Sequence, residues 1–548
     1  MEPDLLSAMS RRQALKTTVR CATLTSTAFP VEALASAHPT HEVIVTTVEG
    51  RLRGLVRNHI QVFKGIRYGE STGGTRRFQP PIPVRPWTGI REARRLGAPS
   101  PQINHDMPPW LDPEPASEDC LFLNVWAPEG AKDLPVMVWA HGGNYYFGSG
   151  GAPGYDGENL AKRGKVVVVT VNHRLNIFGY LHLAELSSEF AQSANLGQQD
   201  LVEALRWVQR NIATFGGDPA NVTIFGQSGG GGKVNTLLNM PSAKGLFGKA
   251  IIQSGLLTKT RSKEQATVEA EAVLAMLGIA PHRLRDITAV PTKRLTAVFS
   301  ELKAKRAHIY TEGSFSPCVD GQVLPFQPSS EESAKFWKDI PVLLGSTEAE
   351  FALFFSEPLP NPESDAEMAA LIYERDSDFD SSRLPGLIDA YRQQFPNASR
   401  QELMLTVGTG ILIWRESVRL AESRLRSGYA PVFAYLDGWR DPCLGGFWAI
   451  HGVELPFIFD KLDYDGLWDG ASTSRLRAAS DPDGRRFWLR DTLIEAWTNF
   501  ARHGVPKSNG LPEWTPYDLA RRYTMHVDQS AKLVSDPYGP KVREALRG

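Results

Sequence analysis

Two hydrophobic patterns alternate along the chain. Short apolar runs recur and end in turn residues: Leu134 to Ala140 (LPVMVWA), Lys165 to Val171, Val222 to Phe225 (VTIF), Ala250 to Ile252, Ile340 to Leu344 (IPVLL) and Val432 to Leu436 (VFAYL). A strand wetted on one side alternates apolar and polar residues, so runs without that alternation predict strands buried on both faces. Between them the period lengthens. Asp200 to Phe215 sets Leu201, Leu205, Val208, Ile212 and Phe215 on one stripe, which predicts an amphipathic helix. Strands interleaved with helices predict an α/β protein with a mostly parallel central sheet flanked by helices. The stretches from Lys263 to Arg306 and from Ser356 to Arg426 carry more charge and read as helical excursions over one edge of that sheet. From Glu42 onward there is no repeat, low-complexity tract or long linker, so 42–548 is expected to be one domain behind an N-terminal segment, 1–41.

Two glycine-rich turns follow predicted strands. Gly226-Gln227-Ser228-Gly229-Gly230 has the form G-x-S-x-G, with a strand before it and a helix expected from Lys233 to Met240. That strand-turn-helix context exposes a serine Oγ on a strained turn where flanking side chains would collide, which makes Ser228 a candidate nucleophile. A phosphate-binding loop is the competing reading, but the G-x-x-x-x-G-K-[ST] form is missing. The second turn, His141-Gly142-Gly143-Asn144, follows Leu134 to Ala140, where backbone N–H groups could face the nucleophile as an oxyanion hole. A hydroxyl is a weak nucleophile until a histidine takes its proton, and that histidine needs a carboxylate to orient it. The expected order along the chain is serine, acid, histidine.

With these motifs, Phe63-Lys64-Gly65-Ile66, the segment Ser117 to Asn124 (SEDCLFLN), Asn172-His173-Arg174-Leu175, Phe215-Gly216-Gly217-Asp218-Pro219 and Gln253-Ser254-Gly255 make the chain resemble the type-B carboxylesterase family, from about Val45 to Asp518. The resemblance implies an α/β-hydrolase fold and cleavage of carboxylic esters through an acyl-enzyme, without cofactor or metal. It implies His451, in His451-Gly452-Val453-Glu454, as the catalytic base and Glu350, in Gly345 to Phe351, as the acid; Glu348 is the local competitor. It also implies Gly143, Asn144 and Gly229 as oxyanion donors, Ser254 as a hydrogen-bonding serine near the triad, and Arg77 with Glu118 as a structural ion pair. An amidase or thioesterase on the same machinery, or a binding protein that has lost catalysis, are the alternatives.

The chain departs from the family pattern at several points. The third glycine of the oxyanion loop is Asn144, the usual alanine after the nucleophile is Gly229, and the acidic residue before it is Gln227, which removes a negative charge. Ser100 stands where a cysteine would pair with Cys120, so Cys120 is expected to be free and the loop carrying Trp110 untied. The four cysteines have no zinc spacing, and the sequons at Asn221 and Asn397 say nothing without a glycosylating host.

Charge narrows the partners. Sixty basic against sixty-one acidic residues give a net charge of −1, so no overall field favours nucleic acid or an anionic membrane. Apolar runs such as Val166 to Val171 are far too short to span a bilayer, and the expected partner is a small ester; oligomeric state is not encoded in any pattern found. Ser10-Arg11-Arg12-Gln13-Ala14-Leu15-Lys16 resembles a twin-arginine export signal, and Ala35-Ser36-Ala37 has the form of a cleavage site; the Thr-rich stretch between them is a poor apolar core for a signal, which leaves a cytoplasmic protein as the alternative.

Overall fold

The structure, a computed structural model, describes residues 40–102, 115–255, 259–305, 314–355, 358–375, 379–463 and 473–547. The export-like segment, Cys21 and Trp110 lie outside the described residues.

Each predicted apolar run is a strand. The observed strands are Leu134–Ala140, Val167–Val171, Gly217–Gln227, Lys249–Gln253, Val342–Thr347 and Val432–Asp437. Side chains alternate across a strand, so a run that is apolar throughout serves two cores at once. Met137, Trp139, Phe225, Ile251, Leu343, Phe433 and Tyr435 pack into the core on one face. Their neighbours Val136, Val138, Ala140, Ile224, Ala250, Ile252, Val342, Leu344 and Ala434 pack into the core on the other. Trp139 centres the first core, edge-to-face against Phe225 at 4.8 Å and against Phe459 at 5.0 Å.

These six strands pair in parallel, in the order Val167–Val171, Leu134–Ala140, Gly217–Gln227, Lys249–Gln253, Val342–Thr347, Val432–Asp437. Among the described residues the sheet has thirteen strands. Tyr523–Val527 adds one more parallel pairing, and antiparallel strands finish both sides: Phe122–Pro128 with the meander His41–Thr46, Arg51–Arg57, Ile60–Arg67, and Ala531–Ser535. The helix of the apolar stripe runs Leu196–Asn211 and ends in a tight turn at Ile212–Phe215.

Both helical excursions pack on loops at the carboxyl ends of the parallel strands. Lys263–Leu277 and Thr292–Lys305 place Ala270, Val273, Leu295 and Phe299 in a third core with Tyr145 and Tyr146, which directly follow the Gly142-Gly143-Asn144 turn. Arg400–Thr409 meets the segment after Thr347: Phe351 N donates to Thr409 Oγ1 at 3.2 Å. Among the described residues no helix is long and apolar enough to cross a membrane.

Candidate active site

Parallel register sets the site. Ala140 pairs with Gly226 and Gln227 with Gln253, so the turns that follow these strands emerge side by side at one edge. Ser228 takes φ 58° and ψ −130°, a conformation disfavoured for any L-residue, and directly precedes the helix Gly229–Leu238. The packing here leaves no room for side chains: a Cβ on Gly226 would lie 2.5 Å from the Gly230 backbone, and one on Gly230 would lie 2.1 Å from the Ala140 carbonyl. The helix begins at Gly229, four residues before the expected Lys233.

The second turn lies against the first. A Cβ on Gly142 would be 3.6 Å from Ser228 Cβ. Gly143 and Asn144 both have left-handed backbones, φ 85° and 53°, a region that asparagine tolerates better than most residues. Among the described residues the N–H groups of Gly143, Asn144 and Gly229 donate to no protein acceptor. Three backbone N–H groups without a protein acceptor beside an accessible serine are three donors available to a substrate. Ser228, Gly229 and Asn144 are only half-buried, whereas Gln227, Gly230, Glu350 and His451 are buried.

Glu350 and His451 meet through backbone pairing. Ala349 forms a parallel bridge with Ile450, and Ala349 N donates to Ala449 O at 2.9 Å, which sets the next residue of each segment side by side. His451 Nδ1 hydrogen-bonds Glu350 Oε2, and the other carboxylate oxygen accepts from Thr347 N at 2.7 Å. An Nδ1–H given to Glu350 leaves Nε2 of a neutral ring as the lone-pair atom. Gln227 Nε2 reaches that atom at 3.1 Å, which ties the histidine to the residue preceding Ser228. Glu348 turns away and accepts from His526 Nε2 at 2.7 Å.

Behind the pair is a polar layer that the sequence did not reveal. Gln253 Nε2 donates to Glu454 Oε1 at 3.0 Å, and Trp497 Nε1 donates to Gln253 Oε1 at 3.2 Å. Burial, together with the nearby Glu350 carboxylate, pushes the Glu454 carboxyl up to about 7. Asp437, also buried, is held well above the usual carboxylate range by desolvation and by Glu454. The signal for Glu454 was its place three residues after His451, but nothing in the chain points to Gln253 as its donor.

Ser254 does not make the expected hydrogen bond: its Oγ is buried with no partner among the described residues. Among the described residues Cys120 and Cys318 are buried and in no disulfide, and Ser100 Oγ instead accepts from Leu175 N at 3.1 Å. Arg77 grips Glu118 with Nε at 2.7 Å to Oε2, and its Nη1 donates to the carbonyls of Ile287, Thr288 and Val290. Among the described residues no group of three or more His, Cys, Asp or Glu side chains is arranged to hold a metal ion.

The profile of the Carboxylesterase family matches residues 41–544. A para-nitrobenzyl esterase of Bacillus subtilis is 36% identical over 504 residues, 92% of this chain and 98% of that protein. A fumonisin B1 esterase of Sphingopyxis macrogoltabida is 31% identical, over 90% of this chain and 88% of its own length. Among solved structures, carboxylesterase EST55 of Geobacillus stearothermophilus superposes with a TM-score of 0.78 at 34% identity, covering 92% of this chain and 100% of that one. The chain belongs to the carboxylesterase family, as a bacterial type-B member with the α/β-hydrolase fold and the serine hydrolase activity of that family on carboxylic esters.

Proposed function

We propose that Ser228, His451 and Glu350 form the catalytic triad of this esterase and that Gly143, Asn144 and Gly229 form its oxyanion hole. Ser228 Oγ attacks the ester carbonyl while His451 Nε2 takes its proton. Glu350 holds Nδ1–H and stabilises the imidazolium that results. The three N–H groups receive the negative charge that develops on the carbonyl oxygen. The imidazolium then protonates the leaving alcohol, and water activated by the same nitrogen releases the acid from Ser228. The observation that carries this reading is the buried Glu350–His451 pair, whose other ring nitrogen meets the side chain of the residue before a serine held in an elbow conformation.

Ser228→Ala, His451→Ala and Glu350→Gln should each lower kcat on a p-nitrophenyl ester by about 10³-fold or more, and combining them should add little because the three act as one unit. Intact mass should show one organophosphonate adduct on the unmodified enzyme. An adduct that persists on the Ser228→Ala variant would overturn the assignment.

Residues 42–548 are read as the catalytic domain, and a small neutral ester, rather than nucleic acid, as the partner. Export through the twin-arginine-like segment is part of the same proposal, with cleavage after Ala37.

A further inference from the structure

Lys233 is fully buried, five residues after the nucleophile, on the helix that Ser228 begins. Its Nζ donates to the His141 carbonyl at 2.8 Å and to the Asn144 carbonyl at 2.8 Å. These two carbonyls bracket the turn whose Gly143 and Asn144 N–H groups are the proposed donors. Among the described residues no carboxylate pairs with the amine, and the Tyr145 ring lies 5.6 Å from it.

A lysine without a counter-ion in a dry interior is costly, so its retention calls for a local reason. Desolvation drives the amine well below the usual lysine range. Charged or neutral, it keeps at least two N–H donors, enough for both carbonyls. The turn needs such a clamp. Two successive left-handed residues, one of them not glycine, make a backbone that is not self-supporting.

We infer that Lys233 is a positioning residue for the oxyanion hole: by bridging the His141 and Asn144 carbonyls it fixes the Gly143 and Asn144 N–H groups against the same helix that supplies the Gly229 N–H. One helix then anchors both halves of the hole. Its first residue gives a donor, and its fifth holds the turn that gives the other two. This inference rests on the assignment of Ser228 and its three donors.

Lys233→Met keeps the length of the side chain and removes the donors. Turnover should be measured per active site, with sites counted by an organophosphonate burst, so that unfolded protein drops out. We expect kcat per titrated site to fall by ~10–100-fold, at or below the ~10²–10³-fold cost of losing one oxyanion donor outright, with KM within about threefold. Binding of a trifluoromethyl ketone, which forms a tetrahedral oxyanion on the serine, should weaken in parallel with kcat/KM. Lys233→Gln, able to reach one carbonyl, should fall between the two and serves if the Met variant does not fold. A lowered melting temperature with kcat per site and ketone affinity unchanged would mean that Lys233 only supports the fold, and the inference would be overturned. The Ser228→Ala variant separates the two failures: if it still turns over, the assignment of the site is wrong, whatever Lys233 does.

Discussion

Gln227 sets the charge beside Ser228, the proposed nucleophile. A carboxylate there would attract a cationic alcohol group and favour the imidazolium, whereas the amide gives His451 Nε2 a hydrogen bond at 3.1 Å and no charge. The nearest acids are committed elsewhere: Glu350 to His451 and Thr347, and Glu454 to Gln253. With an amide where that carboxylate would stand, neutral esters should be preferred. Butyrylcholine should show kcat/KM about fivefold or more below its uncharged isostere 3,3-dimethylbutyl butyrate, the size of ~1 kcal/mol of missing cation attraction. Equal or faster cleavage of the choline ester would refute this.

Between elements, two departures from the family pattern turn out to be one arrangement. A Cβ on Gly229 would lie 2.2 Å from the Asn144 carbonyl oxygen and 2.3 Å from Asn144 Cα, so the turn proposed as the oxyanion hole sits where an alanine side chain would be. Gly229→Ala should therefore displace the turn and lower kcat by ~10-fold or more, with a smaller change in KM. Wild-type kcat in that variant would mean that the turn yields at no cost. The same crowding explains why the start of the helix was not legible. Four consecutive glycines are poor helix formers, at about 1 kcal/mol each, so the sequence points to a start at Lys233. Tertiary contacts override that preference, since a Cβ on Gly230, Gly231 or Gly232 would meet Ala140, Gln253 or Tyr145 within about 3 Å. The buried parallel strands were readable because both faces needed apolar residues. The flanking strand Arg51–Arg57 is not legible as an apolar run because its solvent-side positions are Arg51, Arg53, Leu55 and Arg57, which interrupt the run without changing the pairing.

Across the whole molecule, the site joins residues far apart in the chain: Glu350 and His451 are 101 positions apart, and Gln227 and His451 are 224. The proposed nucleophile is legible because its motif is local. The proposed acid and base are reached through the resemblance alone, since the Ala349–Ile450 bridge that joins them leaves no mark on either segment. Such convergence also gathers further buried acids, and these couple the site to the stability of the fold. Glu454 is fully buried, with a carboxyl near 7 against an ordinary 4.5, and desolvation is the larger cause. The unfolded chain releases this proton between about pH 4 and 5, while the folded one keeps it until about pH 7. The folded state therefore binds more protons across that window, and stability falls as pH rises through it. The loss due to Glu454 should approach roughly 3 kcal/mol above pH 7, with the Gln253 hydrogen bond to the carboxylate already holding it below what burial alone would give. Asp437 adds a slope of the same sign, so a single stability curve cannot isolate Glu454. Comparing the enzyme with its Glu454→Gln variant can: that substitution keeps an acceptor for Gln253 and removes the titration. Chemical denaturation at pH 5 and pH 8 should show the enzyme losing stability and the variant losing less, with the two curves diverging between about pH 5 and 7. Parallel curves would show that Glu454 is not held neutral by the fold.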